Sequence, residues 1–379
     1  MRMIRSFLPV GQGAFYCESF KGFLAENENI NIVYDCGSAT NVELVERQIR
    51  HTFYEGEDIH AVFISHLHDD HINGLEYLLK YCNVKNIFFP LLTPKEKIYL
   101  SLYNIIYGAN PEGFTVSFIN NPNAVVRATE KETVLYQIAP SKEEDVYYDN
   151  LNIQVLASGF NVTEIISESF EIKAPFGDWF YIPFNFRHKD RTNMLQKELT
   201  RLFKKECVDL YDLQDIWQNG SDYMRRRIQE VYTRVPGSFN TNSMVLFSGT
   251  NGKHSFQHMV FPHILEPRHV LTYNRKKSGC LYTGDYDASG EKKFKELYDE
   301  YKTYWEYIGC LQIPHHGSRY NYNRNFSTLN AYHIISASKK NRYQHPHSYV
   351  IKDLLLNNSY PYIVSEEVGS TVYTMVALR

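Results

Sequence analysis

Short apolar runs and helical apolar spacings alternate along this 379-residue chain, and the alternation predicts an α/β fold. Ala61-Val62-Phe63-Ile64 is an unbroken run bounded by polar residues, which is how a buried strand reads. Ile72, Leu75, Leu78, Leu79 and Cys82 follow at helical spacing. The same succession recurs late in the chain. Cys280-Leu281-Tyr282-Thr283 suits a strand closed by Gly284-Asp285, Glu291 to Tyr298 suits a helix, and Leu311-Gln312-Ile313 suits the next strand. Such a crossover returns the chain to the same sheet edge with the same polarity. Strand ends therefore gather at one edge, where α/β proteins place their chemistry.

The residues at those ends point to metal. Ser65-His66-Leu67-His68-Asp69-Asp70-His71 follows the first run. Imidazole nitrogen and carboxylate oxygen are the ligands that zinc, iron and manganese take up at neutral pH. His66 and His68, two apart in extended chain, can point the same way. Asp70 and His71 come after the turn and can face a second metal. Two metals about 3.5–4 Å apart are the recurrent arrangement for hydrolysis through a bridging hydroxide. His-Glu-x-x-His on a helix supplies one metal only. A lone His near a strand end is usually a packing or surface residue, but four potential ligands in six positions are hard to explain by packing. The crossover brings Asp285 and His315-His316 to the same edge. An Asp after Gly is ordinary turn chemistry; paired histidines between Pro314 and Gly317 are not.

His66-Leu67-His68-Asp69-Asp70-His71 resembles the His-x-His-x-Asp-His signature of the metallo-β-lactamase fold. Val10-Gly11-Gln12-Gly13 and Val33-Tyr34-Asp35-Cys36-Gly37-Ser38 are similar to that superfamily's first hairpin and strand-end Asp. Leu281-Tyr282-Thr283-Gly284-Asp285 resembles the segment carrying its metal-bridging Asp. Ile313-Pro314-His315-His316-Gly317-Ser318, the stretch Asn341 to His347, and Ser365 to Ser370 follow in the family's order. With Asn240-x-x-Ser243, these pieces are together similar to the branch holding the hydrolase domain of ComEC competence proteins and bacterial phosphorylcholine esterases. The resemblance covers roughly residues 1–90 and 236–379.

That resemblance implies an α/β, four-layer αβ/βα sandwich in a single domain, 1–379, with its core in 1–90 and 236–379. Residues 91–235 are then a large, partly helical insertion. Its first part, to about Phe176, reads as β-rich, and 192–233 as two helices split by Asn219-Gly220. The family implies two divalent metal ions, zinc first, with manganese or iron as alternatives. His66, His68 and Asp285 are the expected ligands of one; Asp70, His71, Asp285 and His316 of the other. Asp70 also orients the hydroxide, and His315 contacts the oxyanion or protonates the leaving group. Either member of the 315–316 pair can be the ligand, His316 being preferred. His345, before Pro346, is a further substrate-contact candidate, and Asp35 a supporting acceptor for the ligand loop. The family commonly adds a His to the first metal. Here His188, His254, His258, His263 and His269 stand in other contexts, and Asn240-Thr241-Asn242-Ser243 has Asn where that His would be.

The activity implied is a metal-dependent hydrolase, a phosphodiesterase or nuclease. Alternatives are hydrolysis of a lactone, β-lactam or small phosphoester, or a metal-binding interaction protein with little catalysis. A net charge of −3 argues against wholesale polyanion binding, since phosphate affinity comes from clustered Lys and Arg. Lys197, Arg201, Lys204, Lys205 and Arg225-Arg226-Arg227 give the helical segment a basic face, which reads more simply as a solvated one. Thirty Tyr and 23 Phe can line a broad cleft but more often simply pack. Six scattered cysteines suit a reducing compartment, and no apolar stretch reaches a membrane span. A phosphoester or nucleic-acid substrate, no membrane and a cytoplasmic location are the resulting expectations.

Overall fold

The computed structural model describes residues 2–21, 29–141, 153–168, 179–187, 189–204, 210–235, 243–251, 256–261 and 277–378. Two sheets carry the fold. The first runs, in spatial order, Phe256–Phe261, Val372–Leu378, Arg2–Phe7, Gly13–Lys21, Ile30–Ser38, Ala61–Phe63, Asn86–Pro90, Val134–Ile138 and Gln154–Leu156. The second runs Phe180–Asn185, Met244–Gly249, Gly279–Tyr282, Ile308–Gln312, Tyr332–Ser336 and Pro361–Val364. Each sheet is antiparallel on one side and parallel on the other.

Successive strand residues face opposite sides, so a strand covered on both faces must be apolar throughout. The run at 61–64 illustrates this. Phe63 points inward with Tyr34 and Phe88, against Tyr181, Leu246 and Tyr282 of the second sheet. Its neighbour Val62 points outward with Val33 and Ile87, where the helices Val42–Thr52 and Leu75–Tyr81 bury Val45, Ile49, Leu75, Leu78 and Leu79. On the far side, Gly290–Tyr301 and Ser348–Leu356 bury Leu297, Tyr301, Val350 and Leu354 against Leu281, Leu311 and Ile335. The result is the four-layer αβ/βα sandwich expected from the sequence. The expected crossover is present, with Gly279–Tyr282 and Ile308–Gln312 parallel and joined by the helix between them.

Residues 91–235 depart from the expectation. Their first part opens with three helices, Pro94–Ile106, Phe114–Asn120 and Pro122–Arg127, and among the described residues it is not β-rich. Thr93 caps the first of these with a reciprocal Thr93–Glu96 pair and Pro94 at its first position. Leu100 and Leu102 are buried on different sides of that helix, against the ligand-loop layer and against later helices, so its apolar residues show no single stripe. Val134–Ile138 and Gln154–Leu156 extend the first sheet, and Phe180–Asn185 forms an edge of the second. The sheets thus run through the stretch read as an insertion. Later in the same stretch, Lys189–Phe203, Leu210–Asn219 and Asp222–Arg234 make three helices rather than the expected two, the Asn219-Gly220 break lying between the last two. Leu195, Leu199, Leu213, Ile228 and Tyr232 pack them on Tyr99 and Leu102 of the capped helix.

Candidate metal centre

Four chain segments converge at the edge where the strands end. Ser65 to His71 links Ala61–Phe63 to the short helix Asp69–Ile72. Gly284-Asp285 follows Gly279–Tyr282, and His315-His316 follows Ile308–Gln312. Asp35 lies within the fully buried strand Ile30–Ser38. Close approach needs glycine here: a Cβ on Gly284, at φ +53°, would stand 2.5 Å from Ser65 Cβ. A Cβ on Gly37 would stand 2.6 Å from the backbone of Asp70 and His71.

Distances across the cluster are short. His66 Nε2 lies 3.7 Å from Asp285 Oδ2, and His71 Nε2 lies 3.5 Å from Asp285 Oδ1. His71 and His316 place Nε2 at 3.9 and 3.6 Å from Asp70 Oδ2. His66–His71–Asp285, His66–His68–Asp70 and Asp70–His71–His316 each bring three ligand atoms within 4.8 Å of one another. Two bonds of about 2.1 Å at a tetrahedral angle span about 3.4 Å, so these separations suit shared cations. The Nε2 atoms of His66, His68, His71 and His316 are buried with no hydrogen-bond partner among the described residues. Buried ring nitrogens normally find partners. Four that do not, turned towards two carboxylates, fit a metal.

On His66, His71 and His316 the other ring nitrogen is held. His71 Nδ1 donates to Asp35 Oδ2 at 2.8 Å, and Asp35 also accepts from Ser65 N and Oγ, both at 2.7 Å. Ser65 Oγ lies 2.9 Å from His66 Nδ1. His316 Nδ1 donates to the Ser336 carbonyl at 2.9 Å, and His315 Nδ1 meets Asn321 Oδ1 at 2.8 Å. Each bond leaves Nε2 as the ligand atom. His315 and His316 hold φ of 48° and 55°, a left-handed backbone that costs free energy outside glycine and turns both rings into the cleft.

Electrostatics favour the ligating forms. Burial, with the His71 and His68 rings beside it, holds His66 well below its ordinary value, and burial brings His68 down to about 4. Burial would raise the Asp285 carboxyl, but the His315, His71 and His66 rings outweigh it and hold Asp285 well below the carboxylate range. Burial likewise opposes ionised Asp70, and His71 and His316 reverse it. His71 goes the other way. Asp35, Asp70 and Asp285 overcome its burial and raise it, so a proton there answers the negative charge that a cation would answer.

The expected residues are thus brought together, His315 included: its Nε2 stands 3.6 Å from Asp285 Oδ2, on the cleft side. His345 sits one ring further out, 5.6 Å from the His315 ring; burial and the two neighbouring imidazoles lower it to about 3. Asn240, His188, His254, His263 and His269, and the side chain of His258, lie outside the described residues. Ser243 is described and accepts from the Asp285 amide at 3.2 Å.

Sequence reasoning missed three supports. Asn104, from the capped helix, accepts from Asp69 N at 2.9 Å and donates to the Leu67 carbonyl at 3.0 Å, clamping the ligand loop. Tyr103, one residue before, stacks on His68 at 4.6 Å. Gln312 Oε1 accepts from both Thr283 N and Gly284 N at 2.8 Å, fixing the turn before Asp285. Only the Thr93-Pro94-x-Glu96 start signal could have announced the helix that supplies the first two.

Residues 22–96 match the profile of the metallo-β-lactamase superfamily. That matched stretch is about a fifth of the chain. The chain's His-x-His-x-Asp-His loop lies inside it. A segment of 74 residues is 34% identical to a ribonuclease Z from Sulfolobus acidocaldarius, covering 20% of this chain and 24% of that protein. The chain therefore spans about a quarter of the curated relative it matches. Two solved metallo-β-lactamases are also similar. MEM-A1, a subclass B3 enzyme isolated from a soil metagenome library, is 11% identical over 82% of this chain and 79% of its own, with a TM-score of 0.29. SMB-1 bound to 2-mercaptoethanesulfonate is 9% identical over the same shares, with a TM-score of 0.27.

Proposed function

We propose that this chain is a metal-dependent phosphodiesterase of the metallo-β-lactamase superfamily, acting on nucleic acid as the polymeric form of its substrate. The observation carrying the reading is the cage itself: unpartnered Nε2 atoms converge on Asp70 and Asp285 at the floor of an open cleft of about 410 Å³. His66, His68 and Asp285 would hold one cation, and Asp70, His71, Asp285 and His316 the other. When bound, the divalent ions supply Lewis acidity and a nucleophilic water at neutral pH.

The remaining steps belong to the chain. Asp70, 23% exposed where Asp285 is 1%, faces the cleft and accepts a hydrogen bond from the attacking water. His315 is 24% exposed, and its Nδ1 contact with Asn321 directs Nε2 to the cleft. There it donates a proton to the leaving oxygen. His345 stands behind that ring and limits where the leaving group sits. The phosphoester preference is supported by the likeness to the ComEC and phosphorylcholine esterase branch and by the short match to a ribonuclease Z.

The test is turnover. With manganese or zinc added, the chain should hydrolyse an aryl phosphodiester and single-stranded DNA, and His316→Ala should reduce kcat/KM by about 100-fold or more. Turnover confined to lactones or β-lactams would overturn the reading.

A further inference from the structure

We propose that the cleft above the cage is a groove for one nucleic-acid strand. Arg342 takes a phosphate beside the reacting one, and Tyr343 and Tyr107 stack the flanking bases. The inference rests on the phosphodiester reading above and names the polymer and its contacts.

Charge is the first observation. From Tyr307 to Lys352 the chain contains no Asp or Glu, yet it carries Arg319, Arg324, Lys339, Lys340, Arg342 and Lys352, in a protein whose net charge is −3. Lys339 is answered by Glu367 at 2.5 Å, and Arg324 by Asp353 at 3.7 Å. Arg319 and Arg342 have no carboxylate partner among the described residues. Arg342 lines the same cleft as Asp70, His315 and His316. A guanidinium there meets a phosphodiester oxygen in fork geometry.

The second observation is two aromatic walls leading out from the cage. On one, His68 stacks on Tyr103 at 4.6 Å, and Tyr103 lies 4.5 Å from Tyr107, which is 48% exposed. On the other, His345 lies 5.6 Å from His315, and Tyr343 stacks over His345 at 5.8 Å. Tyr343 is 52% exposed, and the Arg342 guanidinium sits 4.8 Å above its ring. Tyr107 and Tyr343 both line the cleft. Half-exposed aromatic rings beside a cation are what stacks successive bases while the backbone is neutralised. Only a base splayed out of a duplex can reach them, so the groove takes a single strand. Arg and Tyr also mark protein interfaces. Here they line a concavity that descends to the ligand cage, which suits a strand threaded to the reacting atoms.

The experiment titrates fluorescein-labelled oligothymidylate and oligouridylate into the full chain with chelator present, reading anisotropy across a salt series. Both tyrosine and arginine variants should bind more weakly. Arg342→Ala should raise Kd about tenfold and flatten the slope of log K against log salt by about 0.7, the share of one single-strand phosphate contact. Tyr343→Ala should raise Kd about tenfold with the slope unchanged. Arg226→Ala, on the exposed face of Asp222–Arg234, should match wild type. A preference between the two oligonucleotides assigns the strand as DNA or RNA. Wild-type binding by Arg342→Ala and Tyr343→Ala, or duplex bound as tightly as single strand, would overturn the groove, and a protein partner would then own this face. If the chain hydrolyses the aryl diester yet those variants bind normally, the groove fails and the phosphodiester reading stands. If they bind as proposed but no diester is hydrolysed, the reaction fails and the groove stands.

Discussion

Between the sheets, Arg5 and Glu18 form a buried cluster closed on itself. Arg5 Nε donates to Glu18 Oε1 at 2.6 Å, and its terminal nitrogens donate to the Ser278 and Ser248 carbonyls at 2.9 and 3.1 Å. Glu18 also accepts from the Tyr181 and Tyr282 hydroxyls and from Ser248 Oγ, at 2.6, 2.9 and 2.6 Å. The cage at the sheet edge is left open instead, with four imidazole nitrogens unanswered. Both clusters bury charge. One spends it on joining strands of the two sheets; the other holds it ready for a ligand, with backbone strain at His315 and His316. Buried charge alone therefore does not mark a site; unanswered ring nitrogens converging on carboxylates do.

The largest expected effect breaks the closed cluster. Glu18→Ala strands the Arg5 charge between the sheets and should destabilise the chain by about 3–5 kcal/mol. A urea titration would read this as a lower midpoint, while the folded fraction keeps its metal. A loss of only about 0.5 kcal/mol, as for a surface substitution, would erase the contrast.

Histidines buried for packing sharpen it from another side. His60 Nδ1 accepts from Asn31 N at 3.2 Å, and His333 Nε2 donates to the Phe326 carbonyl at 2.9 Å. Burial lowers each to about 4. Between about pH 6.5 and 4 the unfolded chain binds more protons than the folded one, so stability falls with pH through that window. Each ring should contribute up to about 3 kcal/mol of that loss. Denaturation midpoints that stay flat from pH 7 to pH 4 would contradict it.

Smallest is Asp35→Asn. The amide keeps the shape but loses the charge that fixes His71, so metal affinity should drop about 10–100-fold in a chelator competition. Glu18→Gln should leave that affinity unchanged; equal losses in both would merge the two clusters.

Much of this was legible in the chain. Strands covered on both faces must be apolar throughout, so 61–64 and 280–283 announced themselves, and ligands at their ends followed. His66, His68, Asp70, His71, Asp285 and His316 share one edge because parallel crossovers return the chain there. The helices at 94–127 were not legible, because Pro94–Ile106 is buried on several sides and its apolar residues form no stripe. Nor was Asn104, whose role depends on where that helix docks. Arg342 and Tyr343 lie in the stretch Asn341 to His347, but their own roles depend on the cleft they line.

Metal analysis of the purified chain beside Asp285→Ala tests the central claim most directly. Divalent metal should accompany the native protein, and the variant, still folded by circular dichroism, should lose most of it, since Asp285 lies within 3.7 Å of His66 and 3.5 Å of His71. Equal metal in the two proteins would contradict the account.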